Sequence, residues 1–125
     1  MEQVNYLSNT KIIRETVERN GKVFSAFYLE FRNACVLFLS EGADSLGTLS
    51  VSIPKRTGIG GLTASSILLG DRNIVAAKLL AERLSDMVGK IALVSVFTRT
   101  ADDMEASRTF LELMKKVVAK KEEKE

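Results

Sequence analysis

Apolar positions in the first half of the chain recur at the spacing of strands. Ile12, Ile13 and Val17 stand among charged residues between Lys11 and Arg19, and Asn20-Gly21 follows. Asn-Gly between two strand-like runs predicts a two-residue hairpin turn, because both residues tolerate positive φ. The run from Lys22 to Phe31 is rich in aromatic and branched side chains. Arg32-Asn33 marks a second turn, and Ala34 to Ser40 is almost wholly apolar. A third turn is expected at Gly42 to Ser45. Leu46 to Ile53 then alternates, Leu49, Val51 and Ile53 against Thr48, Ser50 and Ser52, until Pro54 ends the run. Lys55 to Gly61 reads as a flexible loop, and Thr63 to Leu69 as a short fifth strand closed by Gly70.

The second half changes period. Ile74, Ala77, Leu80, Ala81, Leu84, Met87 and Val88 form a helical stripe, with Lys78, Glu82, Ser85 and Asp86 on the other side. Asp71 or Asn73 is the expected N-cap, and Gly89 stands where a glycine closes a helix. Lys90 to Phe97 is short, dense and branched, which predicts a buried strand. Thr100-Ala101-Asp102-Asp103 opens a last helix whose expected buried stripe is Ser107, Phe110, Leu111, Met114, Val117 and Val118. Residues 1–9 and the charged run 120–125 are expected to fray.

These elements give one domain over 1–125. It is an α+β fold: a single six-stranded, mostly antiparallel sheet, its first four strands a meander, with two helices on one face. Two helices cover one face only. A sheet whose other face meets water alternates along each strand, as Leu46 to Ile53 does. Val23 to Phe31, Ala34 to Leu39 and Ile91 to Phe97 do not. Their surplus apolar side chains predict a partner sheet on the second face, with a twofold dimer as the default form. Phe24, Tyr28, Val36, Phe38 and Leu93 are the candidates for that face. The competing expectation is that the loop Lys55 to Gly61 folds back over it.

Composition removes chemistry rather than adding it. The 125 residues are 46% hydrophobic, with 18 basic and 16 acidic side chains, no His and one Cys. The common zinc sets and the Ser-His-Asp and Cys-His arrangements cannot be built from these. A net charge of +2 does not suggest nucleic-acid binding by bulk charge. No apolar run is long enough for a transmembrane helix and no signal peptide is evident, so a soluble cytoplasmic protein is expected, without membrane, cofactor or metal.

Candidate sites are few. Arg56-Thr57-Gly58-Ile59-Gly60-Gly61 lacks the Lys-Ser/Thr pair and the strand-to-helix setting of a phosphate-binding loop, so a flexible loop is preferred. Asp102 and Asp103 read as helix-dipole partners rather than a catalytic or metal-binding pair. Ser65-Ser66 lacks a neighbouring base, and Cys35 reads as a buried, inert thiol. The lysines from Lys115 to Lys121 read as a solvated helix end. A non-enzymatic binding or assembly module remains.

Three segments carry a resemblance. They are Leu46-Gly47-Thr48-Leu49-Ser50-Val51-Ser52, Ser65-Ser66-Ile67-Leu68-Leu69-Gly70-Asp71, and Leu80-Ala81-Glu82-Arg83-Leu84 leading into Lys90 to Val96. In order and spacing the chain resembles the proteasome assembly chaperone family, above all its fourth eukaryotic member, from about Thr10 to Ala119. The resemblance implies a six-stranded sheet with two helices, paired through its open face with another such sheet. It also implies a chaperone that binds proteasome α-subunits as a dimer, promotes α-ring assembly and does no chemistry. The composition would suit an archaeal homologue acting as a homodimer, or as a heterodimer with a related chaperone. The ending Lys-Glu-Glu-Lys-Glu differs from the hydrophobic-Tyr-x tail with which another class of proteasome chaperones docks. Lys55, Arg56, Arg72, Arg99 and Asp102 are the expected α-subunit contacts, from exposure and charge. The alternative is a small roadblock- or profilin-like scaffold for GTPases or membrane complexes, which usually opens with a helix where this chain shows a strand. A nucleotide binder using the glycine loop is a third reading.

Overall fold

The computed structural model describes residues 11–55 and 64–123. The elements are β1 (Lys11–Arg19), β2 (Lys22–Glu30), β3 (Ala34–Glu41), β4 (Thr48–Ile53), β5 (Ala64–Leu69), α1 (Ile74–Val88), β6 (Ile91–Phe97) and α2 (Asp103–Glu123). They form the expected α+β fold, one six-stranded sheet in the order β1-β2-β3-β6-β4-β5. The glycine loop and Arg56 lie outside the described residues.

Local chemistry explains the boundaries. Asn20 and Gly21 both adopt positive φ, 54° and 76°, and set the β1–β2 register, which pairs Arg19 with Lys22 and Val17 with Phe24. Gly89 closes α1 with φ 70°, its N–H donating to the Ser85 carbonyl at 2.8 Å. Asp102 caps α2, its Oδ1 accepting the Glu105 N–H at 2.9 Å. Asn73 holds the N-cap position of α1 but makes no side-chain cap bond. Its side chain instead accepts from the Thr98 hydroxyl at 2.6 Å and donates to Asp103 at 3.0 Å, tying the starts of both helices to the end of β6.

The expected four-strand meander stops at β3. β6 inserts between β3 and β4, parallel to β3 and antiparallel to β4. Its dense apolar run belongs in the middle of a sheet, where both edges are paired. The connection from β3 to β4 must therefore cross β6. Gly47 makes that crossing possible: a Cβ there would stand 2.1 Å from the Val96 carbonyl oxygen.

Both helices cover one face. The register row Ile13–Tyr28–Leu37–Val94–Ser50–Ile67 runs beneath them. α2 lies over β1 and β2, and α1 over β4, β5 and β6. Phe24 meets Phe110 of α2 edge-to-face, ring centroids 5.5 Å apart. The helix stripes differ slightly from expectation. Ser85 is buried and donates to the Lys90 carbonyl at 2.8 Å, whereas Ile74 and Met87 are exposed. On α2, Ala106, Thr109 and Leu113 are buried, while Ser107 and Leu111 are half-buried. The stripe is thus rotated by part of a turn, because α2 packs on β1–β2 rather than on the sheet centre. Its helix continues through the charged run to Glu123, with Lys120 paired to Glu15 and Lys121 lying 3.7 Å from Glu30. Residues 120–123 thus belong to the helix.

Two carboxylates on the helix face close opposite ends of the core. Glu30 accepts from the Tyr28 hydroxyl at 2.8 Å and from Lys90 Nζ at 2.6 Å. Burial works to raise its pKa, but Lys90, Tyr28 and Lys121 outweigh that and hold the carboxyl below its usual range. Burial pushes the Cys35 thiol up to about 11, in keeping with an inert side chain. Glu41, at the other end, holds the β6–α2 corner.

Candidate protein-binding face

The face away from the helices is the candidate binding surface. β4 settles its character. Its alternation predicted a polar side for water, yet Ser50 and Ser52 are fully buried beneath α1, and Leu49, Val51 and Ile53 point away from the helices. β4 packs against α1, whose Ala76, Ala77 and Ala81 are fully buried, and small side chains on both elements let helix and strand approach. The apolar side of β4 is therefore free to join a row that crosses the sheet, Ile12–Leu29–Val36–Leu93–Val51, ending at Ser66. Ile12 and Ile53 are 59% and 52% exposed at the two sides of this face. Leu29, Val36, Leu93 and Val51 are half-buried.

The crossing loop, residues 42–47, covers one end of this face. Three serines isolated in apolar strands hold it down. Ser25 donates to Asp44 at 3.1 Å, Ser40 accepts the Ser45 N–H at 3.0 Å, and Ser95 accepts the Gly47 N–H at 2.8 Å. Arg14 ion-pairs with Asp44 and lies over the Phe27 ring, 5.1 Å from its centroid. The guanidinium holds the Asp44 carboxyl below its usual range. Leu46 stands above the loop at 57% exposure, beside a hollow of about 310 Å³ lined by Phe27, Phe38, Asp44, Ser45 and Leu46 itself.

The expected face residues separate cleanly. Val36, Phe38 and Leu93 lie on the open face. Phe24 and Tyr28 do not: both are fully buried under α2. β2 is apolar on both sides, so its own pattern leaves its orientation undetermined. The hairpin register decides it, pairing Phe24 with Val17 and Tyr28 with Ile13, while their alternates Phe27 and Leu29 pair with Arg14 and Ile12. Leu46, Leu49 and Val51 are face residues that pattern reasoning missed. The signal was available in the three lone serines, which mark where a loop had to be fastened.

Of the expected charged contacts, the fold brings Arg72, Arg99 and Asp102 to one end of the molecule. Arg72 donates to the Arg99 carbonyl at 3.1 Å. Asp102 follows the corner held by Glu41. Lys55 follows β4 at the opposite end of that strand. Gly70 shapes the same end as Arg72, with φ 94° and a Cβ position 2.7 Å from the Thr48 Cα. The Thr48 hydroxyl bonds both the carbonyl and the N–H of Arg72. The Leu-Gly-Thr-Leu and Leu-Leu-Gly segments thus meet in space, each with a glycine that close backbone approach requires.

Among the described residues no helix is long and apolar enough to cross a membrane, and no group of His, Cys, Asp and Glu could hold a metal ion. No protein-family model matches the sequence, and no curated protein does. A solved chain from a chaperone complex for yeast 20S proteasome assembly is similar in structure, with a TM-score of 0.61 at 17% identity over 86% of this chain and 91% of that one. At that identity the likeness is one of fold, and the chain has the six-stranded, two-helix fold found in a proteasome-assembly chaperone complex.

Proposed function

We propose that this chain is a non-enzymatic chaperone subunit that pairs its open sheet face with the sheet of a partner, and that the pair binds proteasome α-subunits and promotes α-ring assembly in the cytoplasm. The observation that carries the reading is the apolar row across all the inner strands, Leu29–Val36–Leu93–Val51. β4 has turned its serines inward and its branched side chains outward, and a face built in that way is made to be covered. The fold shared with a proteasome-assembly chaperone chain supplies the class of client. Pairing face to face leaves the helices and the ends of the sheet to meet the α-subunit. Arg72, Arg99 and Asp102 are the proposed contacts at one end, and Lys55 and Arg56 a separate group. An archaeal relative of the fourth eukaryotic chaperone fits this role.

Co-expression with cognate α-subunits and affinity capture tests the reading. An α-subunit retained at near-equal stoichiometry is expected, and capture of none overturns it. Charge reversal at Arg72 and Arg99 together is expected to lower capture, most strongly at low salt. Reversal at Lys55 and Arg56 reports on the second group.

A further inference from the structure

We infer that the β5 edge of the sheet is an interaction surface of its own, and that it pairs antiparallel with the β5 edge of a second copy about a twofold axis at Ser66. The sheet ends on β1 at one side and on β5 at the other. An unpaired edge offers a row of backbone N–H and C=O groups to any extended chain. The two edges differ in how they meet that hazard. β1 carries Lys11, Arg14, Glu15, Glu18 and Arg19 among its nine residues, and charge of this kind deters strand addition. β5, Ala64–Leu69, has no charged residue, no proline and no glycine. Leu68 stands 54% exposed on it, with Ala64, Ser66 and Leu69 exposed beside it. A strand added there continues the sheet and covers those side chains.

Closure and charge identify the occupant as a second copy. A β5 edge meeting a β1 edge repeats head to tail and builds an open filament, which the charges of β1 oppose; a β5–β5 pair closes at two. Twofold antiparallel pairing sets the central residue against itself, so that residue must be small and uncharged. The β4–β5 ladder is regular over Ala64 to Ile67 and skips Leu68. An axis at Ser66 sets Ser65 against Ile67 and Ala64 against Leu68, small side chains against large. α1 supplies complementary charge. It runs back along β5, and the Ser65 hydroxyl donates to Glu82. Ile74, Lys78 and Glu82 are spaced four residues apart and form one row on that side of the helix. One residue of strand, from Ser65 to Ser66, is about 3.3 Å, or about two residues of helix rise. The axis is therefore level with Leu80, with Lys78 and Glu82 equally far to either side. Rotation brings Lys78 of each copy towards Glu82 of the other. α1 lies over β4, β5 and β6, and the two β4 strands of the pair stand three strand spacings apart, about 14 Å. That exceeds the roughly 8–10 Å of direct helix packing, and a lysine and a glutamate span the gap. Among the described residues Lys78 has no ion-pair partner.

Oxidative cross-linking of the purified full chain tests the inference. Cys35 is buried, so the wild-type chain is expected to form no intermolecular disulfide. Ser66→Cys places two thiols against each other at the axis, where the Cα separation of an antiparallel pair suits a disulfide. A discrete species at twice the 13.8 kDa chain mass is expected on a non-reducing gel. Thr16→Cys, in the middle of β1, is expected to give none. Ser66 and Thr16 are both exposed, and unchanged circular dichroism is expected for each variant. Within the Ser66→Cys chain, Lys78→Glu is expected to lower the yield, most strongly at low salt, and Glu82→Lys added to it to restore the yield. No cross-link through Ser66→Cys overturns the inference, and so does an equal cross-link through Thr16→Cys, which marks random collision. A yield that falls with Lys78→Glu and is not restored by the double reversal overturns the placing of α1 against its copy.

Discussion

Glu41 and Thr100 are joined twice: Oε1 accepts the Thr100 N–H at 2.9 Å, and Oε2 accepts the Thr100 hydroxyl at 2.7 Å. The N–H groups of Arg99 and Ala101 converge on the same Oε1 at 2.7 and 3.0 Å. One carboxylate at the end of β3 therefore gathers the backbone corner that turns β6 into α2, at the end of the molecule where Arg72, Arg99 and Asp102 lie.

That contact sets an acid limit on stability. Desolvation works to raise the Glu41 pKa, but the Ala101, Thr100 and Arg99 donors outweigh it and pull the value from 4.5 down to about 2. A carboxyl whose folded pKa lies below its unfolded one contributes fully above the unfolded value and loses that contribution as pH falls through the folded one. Stability is thus expected to decline between about pH 4.5 and pH 2. Glu41→Gln is expected to flatten that part of the profile and to cost about 1–3 kcal/mol at neutral pH, since an uncharged amide oxygen holds the three converging N–H donors less strongly than a carboxylate does. Urea unfolding across the range measures both. A profile as steep in the variant as in the wild type would refute the assignment.

Two glycines should respond differently to the same substitution. Gly21 has open space around it and needs only its positive φ of 76°, so Gly21→Ala is expected to cost about 1 kcal/mol. Gly47 faces the Val96 carbonyl oxygen at 2.1 Å from an added Cβ, so the crossing loop must shift. Gly47→Ala is expected to cost 3 kcal/mol or more, or to prevent folding. Paired thermal melts distinguish the two, and equal effects would show that the loop does not cross β6 so closely.

The fold was largely legible because each element carries its own period and punctuation: Asn20-Gly21 for the first turn, Gly89 for the end of α1, and the run Thr100 to Asp103 for the start of α2, although the cap proved to be Asp102 rather than Thr100, whose hydroxyl is taken by Glu41. The place of β6 was not. Nothing in Ile91 to Phe97 states which strands it will divide, and that choice is made by packing between elements far apart in sequence. The face was half legible. Apolar surplus announced that both sides of the sheet carry apolar side chains, but parity in β2 and β4 depends on a neighbour's register. Phe24 and Tyr28 were misplaced for that reason, and the serines of β4 were read as wet when α1 buries them.

Ser50 offers a stabilising change. Its hydroxyl is buried beneath α1 with no hydrogen-bond partner among the described residues. A buried polar group left unpaired costs about 1–3 kcal/mol relative to an apolar group of the same shape. Ser50→Ala is expected to raise stability by about 1 kcal/mol and the melting temperature by a few degrees. A loss of stability in denaturant titration would mean that the hydroxyl has a partner, and the tight seat of α1 on β4 would need another account.

Phe24 and Phe38 test the division of the sheet into two faces. They sit on neighbouring strands, but Phe24 is fully buried against Phe110, whereas Phe38 lies half-buried on the open face beside Phe27. Phe24→Ala removes a ring from the single core and is expected to cost about 3–5 kcal/mol in unfolding free energy. Phe38→Ala loses contacts in the isolated chain only with its neighbours on that face, and about 1–2 kcal/mol is expected at dilutions where no partner binds, the share of a half-buried side chain. At concentrations where the face is paired, the ordering should narrow, because Phe38 then gains the partner's apolar surface and its loss costs association as well as folding. Chemical denaturation of both variants over a hundredfold range of protein concentration reads this directly. The Phe24→Ala penalty should stay constant while the Phe38→Ala penalty grows with concentration. A Phe38→Ala penalty independent of concentration would mean that this chain does not pair with itself through the open face.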